Sequence, residues 1–110
     1  MVRSPEEELV FVVDVTSFTE KGFIGTTNFA GGRLDIEFDD VNAGISITGV
    51  MAERIGVRKG SPLLVIIETE KTQMGKTSVA SVGKKVRISD SKTYYAVGKE
   101  GGAVVRIRRS

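Results

Sequence analysis

Two side chains that carry much of protein chemistry are missing from this sequence. It has no histidine and no cysteine, which removes the commonest general base, the thiolate nucleophile and the softer ligands of a transition metal. Acid pairs remain at Glu6-Glu7-Glu8 and Asp39-Asp40. Neighbours along a strand point to opposite faces, so these pairs are not set to work together on one substrate. Solvation of the surface is their simpler role. Gly75-Lys76-Thr77 matches the tail of a phosphate-binding loop, but the earlier glycine of that motif falls on Glu70, and without it there is no backbone cradle. The expectation is a non-enzymatic protein with no metal and no cofactor.

What remains is cationic and unevenly spread. The first fifty residues hold three Lys/Arg against nine Asp/Glu, a net −6, and residues 51–110 hold thirteen against five, a net +8. Such asymmetry fits an anion-binding face, or acidic and basic surfaces that meet within or between chains. Interspersed surface charge accounts for it equally well. Arg54, Arg58 and Lys59 flank one helix-and-turn segment, Lys84, Lys85 and Arg87 open a second, and Lys99 follows. In Arg106-Ile107-Arg108-Arg109, alternation puts Arg106 and Arg108 on one face. These nine, Arg54, Arg58, Lys59, Lys84, Lys85, Arg87, Lys99, Arg106 and Arg108, are the candidate anion- or nucleic-acid-binding residues. Arginines on an edge strand also guard against aggregation, which is the competing reading of the tail. Tyr94 and Tyr95 lie among cations and can stack on bases, but adjacent tyrosines in a helix usually divide between core and surface.

The elements that must position these residues centre on Ile45–Glu68. Ile45-Ser46-Ile47-Thr48 alternates as a half-buried strand, Val50, Met51, Ile55 and Val57 follow a short helical spacing, Gly56 can stop it, and Arg58-Lys59-Gly60-Ser61-Pro62 is turn chemistry before the apolar run Leu63–Ile67. Sliding the chain by 41 places sets this unit on Val86-Arg87-Ile88-Ser89, Gly101 and Val104–Ile107. Val41/Val82, Ile47/Ile88, Gly60/Gly101 and Ile66/Ile107 are then identical. Chance likeness between two β-rich segments is the alternative to a duplication.

Upstream, Leu9–Ser17 reads as a strand buried on both faces in its first half, and the turn Thr19-Glu20-Lys21-Gly22 returns it as Phe23–Phe29. Ser4-Pro5-Glu6-Glu7-Glu8 has the residues of a helix start without a helix to follow, which gives a frayed acidic leader. Leu34, Ile36 and Phe38 alternate with acids as a strand with one wet face. Thr69–Thr77 is polar and reads as an exposed, mobile loop. Thr77–Ser81 and Lys85–Ser89 are strands about a Gly83-Lys84 turn, and Asp90 or Ser91 caps a short turn of helix through Tyr94–Val97 before the last strand.

The fold class expected is mainly β: one small closed or partly open barrel, made of an N-terminal hairpin (9–29) and two strand-strand-short helix-strand halves (33–68 and 76–109). At 110 residues there is one core and one domain. No run approaches the roughly 20 apolar residues of a membrane span, and the acidic N-terminus is unlike a secretion signal. The expectation is a soluble cytoplasmic protein with no membrane partner. Nucleic acid, a small anion and a second copy of the chain are the partners to weigh.

The stretch from Ala43 to Ser61, AGISITGVMAERIGVRKGS, resembles the swapped-hairpin regulators of the AbrB type in its strand, short amphipathic helix, Ile55-Gly56-Val57, basic residues and Gly60-Ser61. It departs from them at Thr48, where that family has proline. The resemblance implies a barrel of interlocked hairpins that binds DNA through basic residues. The same stretch is similar to TOBE/Mop domains, which implies an oligomeric domain for molybdate-like oxyanions or an accessory domain of transporter ATPases. The doubled pattern is similar to cradle-loop barrels built from two halves in one chain. Tyr95–Val105 is more distantly similar to KOW-type nucleic-acid modules.

Overall fold

The computed structural model describes residues 8–110, so the acidic leader expected at Ser4–Glu8 lies outside the described residues except for Glu8. In chain order the elements are β1 (Glu8–Thr19), β2 (Gly22–Phe29), β3 (Gly32–Asp39), β4 (Gly44–Thr48), α1 (Gly49–Glu53), β5 (Pro62–Glu68), β6 (Thr72–Val82), β7 (Lys85–Ser89), α2 (Ser91–Glu100) and β8 (Gly102–Arg109). The eight strands close into an antiparallel barrel in the order β1-β2-β3-β4-β7-β6-β5-β8. Each strand turns alternate side chains inward, as a barrel wall with one dry face requires. Val13, Ile36, Val65, Ile67, Ile88 and Ile107 are fully buried and Phe11, Phe23 and Phe38 nearly so. Burying one such side chain contributes about 1.5–3 kcal/mol. This shared interior is the main stabilising term.

The 41-residue offset relates elements one for one. β4 and β7 coincide residue for residue under it, β5 falls within β8, β3 within β6, and a helix follows each of β4 and β7. β4 and β7 also pair with each other, about the central pair Ser46↔Arg87 whose members are 41 apart. The expected arrangement of two strand-strand-helix-strand halves plus a hairpin is thus the observed one. No helix among the described residues is long and apolar enough to cross a membrane.

Because β4 and β7 run in opposite directions, Thr48 and Lys85 stand at one mouth of the barrel, and Gly44 and Ser89 at the other. α1 leaves from the first mouth and α2 from the second. Thr48 caps α1, its hydroxyl accepting from the N–H of Met51 at 3.4 Å, and α1 drives Met51 and, just beyond it, Ile55 into the core with no exposure. Asp90 caps α2 by accepting from the N–H of Thr93 at 3.1 Å. Gly101 ends α2 in the left-handed region at φ 79, with its N–H on the carbonyl of Val97, a geometry that favours glycine. Val97 seals the interior. Tyr94 packs against Phe23 at 5.1 Å between ring centres, and burial, with Asp40 nearby, pushes its phenol above the ordinary tyrosine range. Tyr95 points outward and is 70% exposed, so the tyrosines divide as expected.

Three expectations are corrected. Thr69–Thr77 is not a mobile loop. From Thr72 it belongs to β6, because Thr72–Ser78 pairs with every residue of β5, and ladder hydrogen bonds hold a polar strand whose sequence alone would not form one. The first half of β1 is buried on one face only, with Val10 45% and Val12 53% exposed; a run of valines fits a half-buried strand as well as a buried one. The second helix is not a short turn but ten residues, since Gly98 is accommodated inside it facing the Phe23 ring.

Candidate functional site

Eight of the nine candidate cations fall into two groups with different surroundings, and Lys99 stands apart on α2. On the outer wall, charges meet across strands. Lys85 on β7 hydrogen-bonds Glu37 on β3. Arg106 on β8 lies between Glu8 on β1 and Glu68 on β5, with Nη1 donating to Glu8 at 3.2 Å and Nε 3.2 Å from Glu68 without hydrogen-bond alignment. Arg108 faces the second oxygen of Glu8 at 3.6 Å. These pairs are exposed enough for solvent to screen them, and each contributes little to stability. They still answer positive charge with negative.

Arg87 makes the tightest arrangement. Its guanidinium reaches past Gly44 to grip both carboxylate oxygens of Asp39 and donates to the carbonyl of Val41 at 2.9 Å. The hydrogen bond from Arg87 holds the Asp39 carboxyl below the usual carboxylate range against an opposing effect of burial, and it raises the guanidinium in turn. A Cβ at position 44 would come within 2.0 Å of Nη2. Glycine there is what lets the bridge form.

The second group lies at the mouth that α1 crosses. The turn after α1 is tied to the end of β6 by Gly60 N–H on the carbonyl of Val79 at 2.8 Å and Val79 N–H on the carbonyl of Ser61 at 3.0 Å. Arg58 and Lys59 are therefore fixed beside the last turn of β6. Lys84 follows in the β6–β7 turn, whose carbonyl accepts from Gly49 N–H at 3.1 Å and so anchors the start of α1. Arg109 ends β8 opposite Leu63. Arg58, Lys59, Lys84 and Arg109 are exposed, and among the described residues no carboxylate pairs with them. Arg54 lies at the same rim with its guanidinium 5.0 Å from the centre of the Phe29 ring.

Position thus separates the candidates. Arg54, Arg58, Lys59 and Lys84 come together at the α1 mouth; Lys85 reaches it but is paired, Arg87, Arg106 and Arg108 belong to the wall, and Lys99 lies on α2 at the opposite mouth. Arg109 was missed by sequence reasoning that sought one strand face; the signal for it is its place at the very end of a strand. The α2 mouth has a different character. Grooves of about 330 Å³ there are lined by Glu70 and Glu100 as well as Lys71, Lys92 and Lys99, and Lys92 donates to the carbonyl of Met74 at 2.8 Å. No group of acids among the described residues is arranged to hold a metal ion. Comparison with family models, curated proteins and solved structures finds no match to this chain, so the resemblances named above rest on their motifs.

Proposed function

We propose that the protein is a nucleic-acid-binding module that takes phosphates at the α1 mouth, on Arg58, Lys59, Lys84 and Arg109 with Arg54 at the rim. The observation that carries this reading is the segregation just described: wall cations face carboxylates, whereas four cations on two tethered turns and a strand end share one mouth and, among the described residues, pair with no carboxylate. Tethering matters because a cation on a fixed turn loses less freedom on binding than one on a loose tail. No base-reading element enters this reading, so binding is tolerant of sequence and driven by counterion release.

The test is an anisotropy titration of the full chain with labelled duplex and single-stranded oligonucleotides between low and moderate salt. Four phosphate contacts give a slope of log K against log salt of about −3.6 on duplex, from roughly −0.9 per contact. Absence of binding at low salt, or a slope near zero, refutes the proposal. A melting temperature raised by molybdate or phosphate alone, with no nucleic-acid binding, would instead make the mouth an oxyanion site.

A further inference from the structure

At the mouth opposite the basic one, α2 presents Lys92, Tyr95 and Lys99 at the i, i+3, i+7 spacing of a single helix face. With Gln73 of β6 they line an open groove of about 330 Å³. No carboxylate lines this groove; Glu70 and Glu100 belong to the neighbouring one, which shares Lys99. Among the described residues neither Lys92 nor Lys99 pairs with an acid. The carboxylate of Asp90, at the start of α2, is buried and turned onto Thr93.

Tyr95 is a large ring left in water, although its neighbour Tyr94 is packed. It is not loose, because Tyr94 meets it edge-on at 5.3 Å between ring centres and Tyr94 is itself seated on Phe23 at 5.1 Å. Lys92 is placed as well. It donates one N–H to the carbonyl of Met74 at 2.8 Å and keeps two to offer, while Gln73 brings an amide that can both donate and accept.

We infer that this groove takes one unpaired nucleotide of a single-stranded nucleic acid, its base stacked on the Tyr95 ring and its flanking phosphates on Lys92 and Lys99. Three features select that ligand. An exposed ring with a lysine to either side offers a π-face and positive charge together, the combination that holds single strands with little regard to sequence. An acidic peptide would use the lysines and leave the ring idle. A duplex keeps both faces of each base inside its stack, so it could not use the ring either. Lys92 and Lys99 leave the helix about 10 Å apart along its axis with the ring between them, which suits a phosphate on each side of the base. An internal nucleotide of a strand has that pair, and a free mononucleotide does not. The inference goes beyond the phosphate reading of the α1 mouth and does not depend on it, since the two sites lie at opposite mouths.

The test is an anisotropy titration with labelled oligothymidylate, using the full chain carrying Arg58→Ala/Lys59→Ala/Lys84→Ala so that the α1 mouth contributes little. Into it are placed Tyr95→Phe, Tyr95→Ala or Lys92→Ala/Lys99→Ala, all at exposed positions where the fold tolerates change. Tyr95→Ala should weaken binding at least about fivefold, as loss of one stacked base does, and Tyr95→Phe should keep it because the π-face remains. The lysine pair should lower the salt slope by about 1.4, from roughly 0.7 per contact on a single strand. Amide shifts should gather at Gln73 and from Ser91 to Lys99. Equal affinity of the parent and Tyr95→Ala overturns the inference, as does no binding at low salt. So do Tyr95→Phe binding as weakly as alanine, or amide shifts elsewhere than α2. Thymidine monophosphate binding as tightly as the strand would also overturn it, in favour of a mononucleotide site. Duplex binding by the unaltered chain tests the α1 mouth alone, so either reading can fail without the other.

Discussion

Replacing Asp39 by asparagine should weaken the barrel where its two halves meet, by an amount that depends on pH and on Gly44. The Asp39 and Arg87 side chains are 23% and 29% exposed, less than a third each, so solvent only partly screens the pair. Hydrogen bonds to charged groups contribute about 1.5–3 kcal/mol; asparagine keeps one acceptor, which puts the loss at about 2 kcal/mol. Unfolding entropy near 2.1 cal/mol/K per residue over 110 residues converts that to a fall of about 9 °C in Tm. The folded carboxyl is held below its ordinary value. Its stabilisation is therefore complete above the unfolded value and disappears as pH falls through the folded one. Melts of wild type and Asp39→Asn should differ fully near neutrality and converge in acid, as the pH falls through the lowered folded value. Gly44→Ala must displace the guanidinium, since its Cβ would sit 2.0 Å from Nη2, and should cost little more once Asp39→Asn is present. A Tm gap that is the same in acid and at neutrality, or full additivity with Gly44→Ala, would refute the reasoning.

At the α1 mouth, the variant Arg58→Ala/Lys59→Ala/Lys84→Ala should keep the wild-type Tm within a few degrees, since exposed charges contribute about ±0.5 kcal/mol, while its salt slope on duplex falls by about 2.7; the titration above measures both. Asp90→Ala removes the cap of α2 and should cost about 1 kcal/mol, or roughly 4 °C, whereas Asp90→Ser should recover most of it in the same melt. Met51→Ala empties a site with no exposure and should cost about 2–5 kcal/mol, read by denaturant unfolding with an unchanged m-value.

The doubled framework was legible because apolar alternation and turn residues are local. Ile45-Ser46-Ile47-Thr48 and its counterpart after Lys85 carry their strand signal whatever they pair with. The strand through Thr72-Gln73-Met74-Gly75-Lys76 was not legible, because only β5 makes it a strand. The same holds for charge. Sequence counts thirteen cations after Val50 but cannot show that Arg87 is spent on Asp39, 48 positions away, while Arg58 meets no acid among the described residues. Whether a cation is available depends on register, and register is set by contacts distant in sequence.

The hairpin β1–β2 is the part of the barrel without a counterpart, and its insertion explains where the wall is loosest. Of the two halves, β5 pairs with β8 as β4 pairs with β7, and β6 pairs with β5. By the same relation β3 would meet β8, but the hairpin stands between them. Barrel diameter grows with strand number, and eight strands leave an interior that side chains just fill. The hairpin widens the barrel and brings Leu9, Phe11, Val13 and Phe23 into it. It is continuous with β8 on one side and β3 on the other, so any mismatch collects at its own junction, the seam between Val13 and Thr27, where β1 is laddered to β2 only from Asp14↔Thr26 up to the hairpin turn. Hydrogen exchange should follow this order. Amides in the β4–β7 and β5–β8 ladders should approach the protection of global unfolding, while those of Val10–Val13 that face β2 exchange at least about tenfold faster than the laddered amides on either side of them. Uniform protection along β1 would mean that the strands are zipped in solution and would refute this account of the wall.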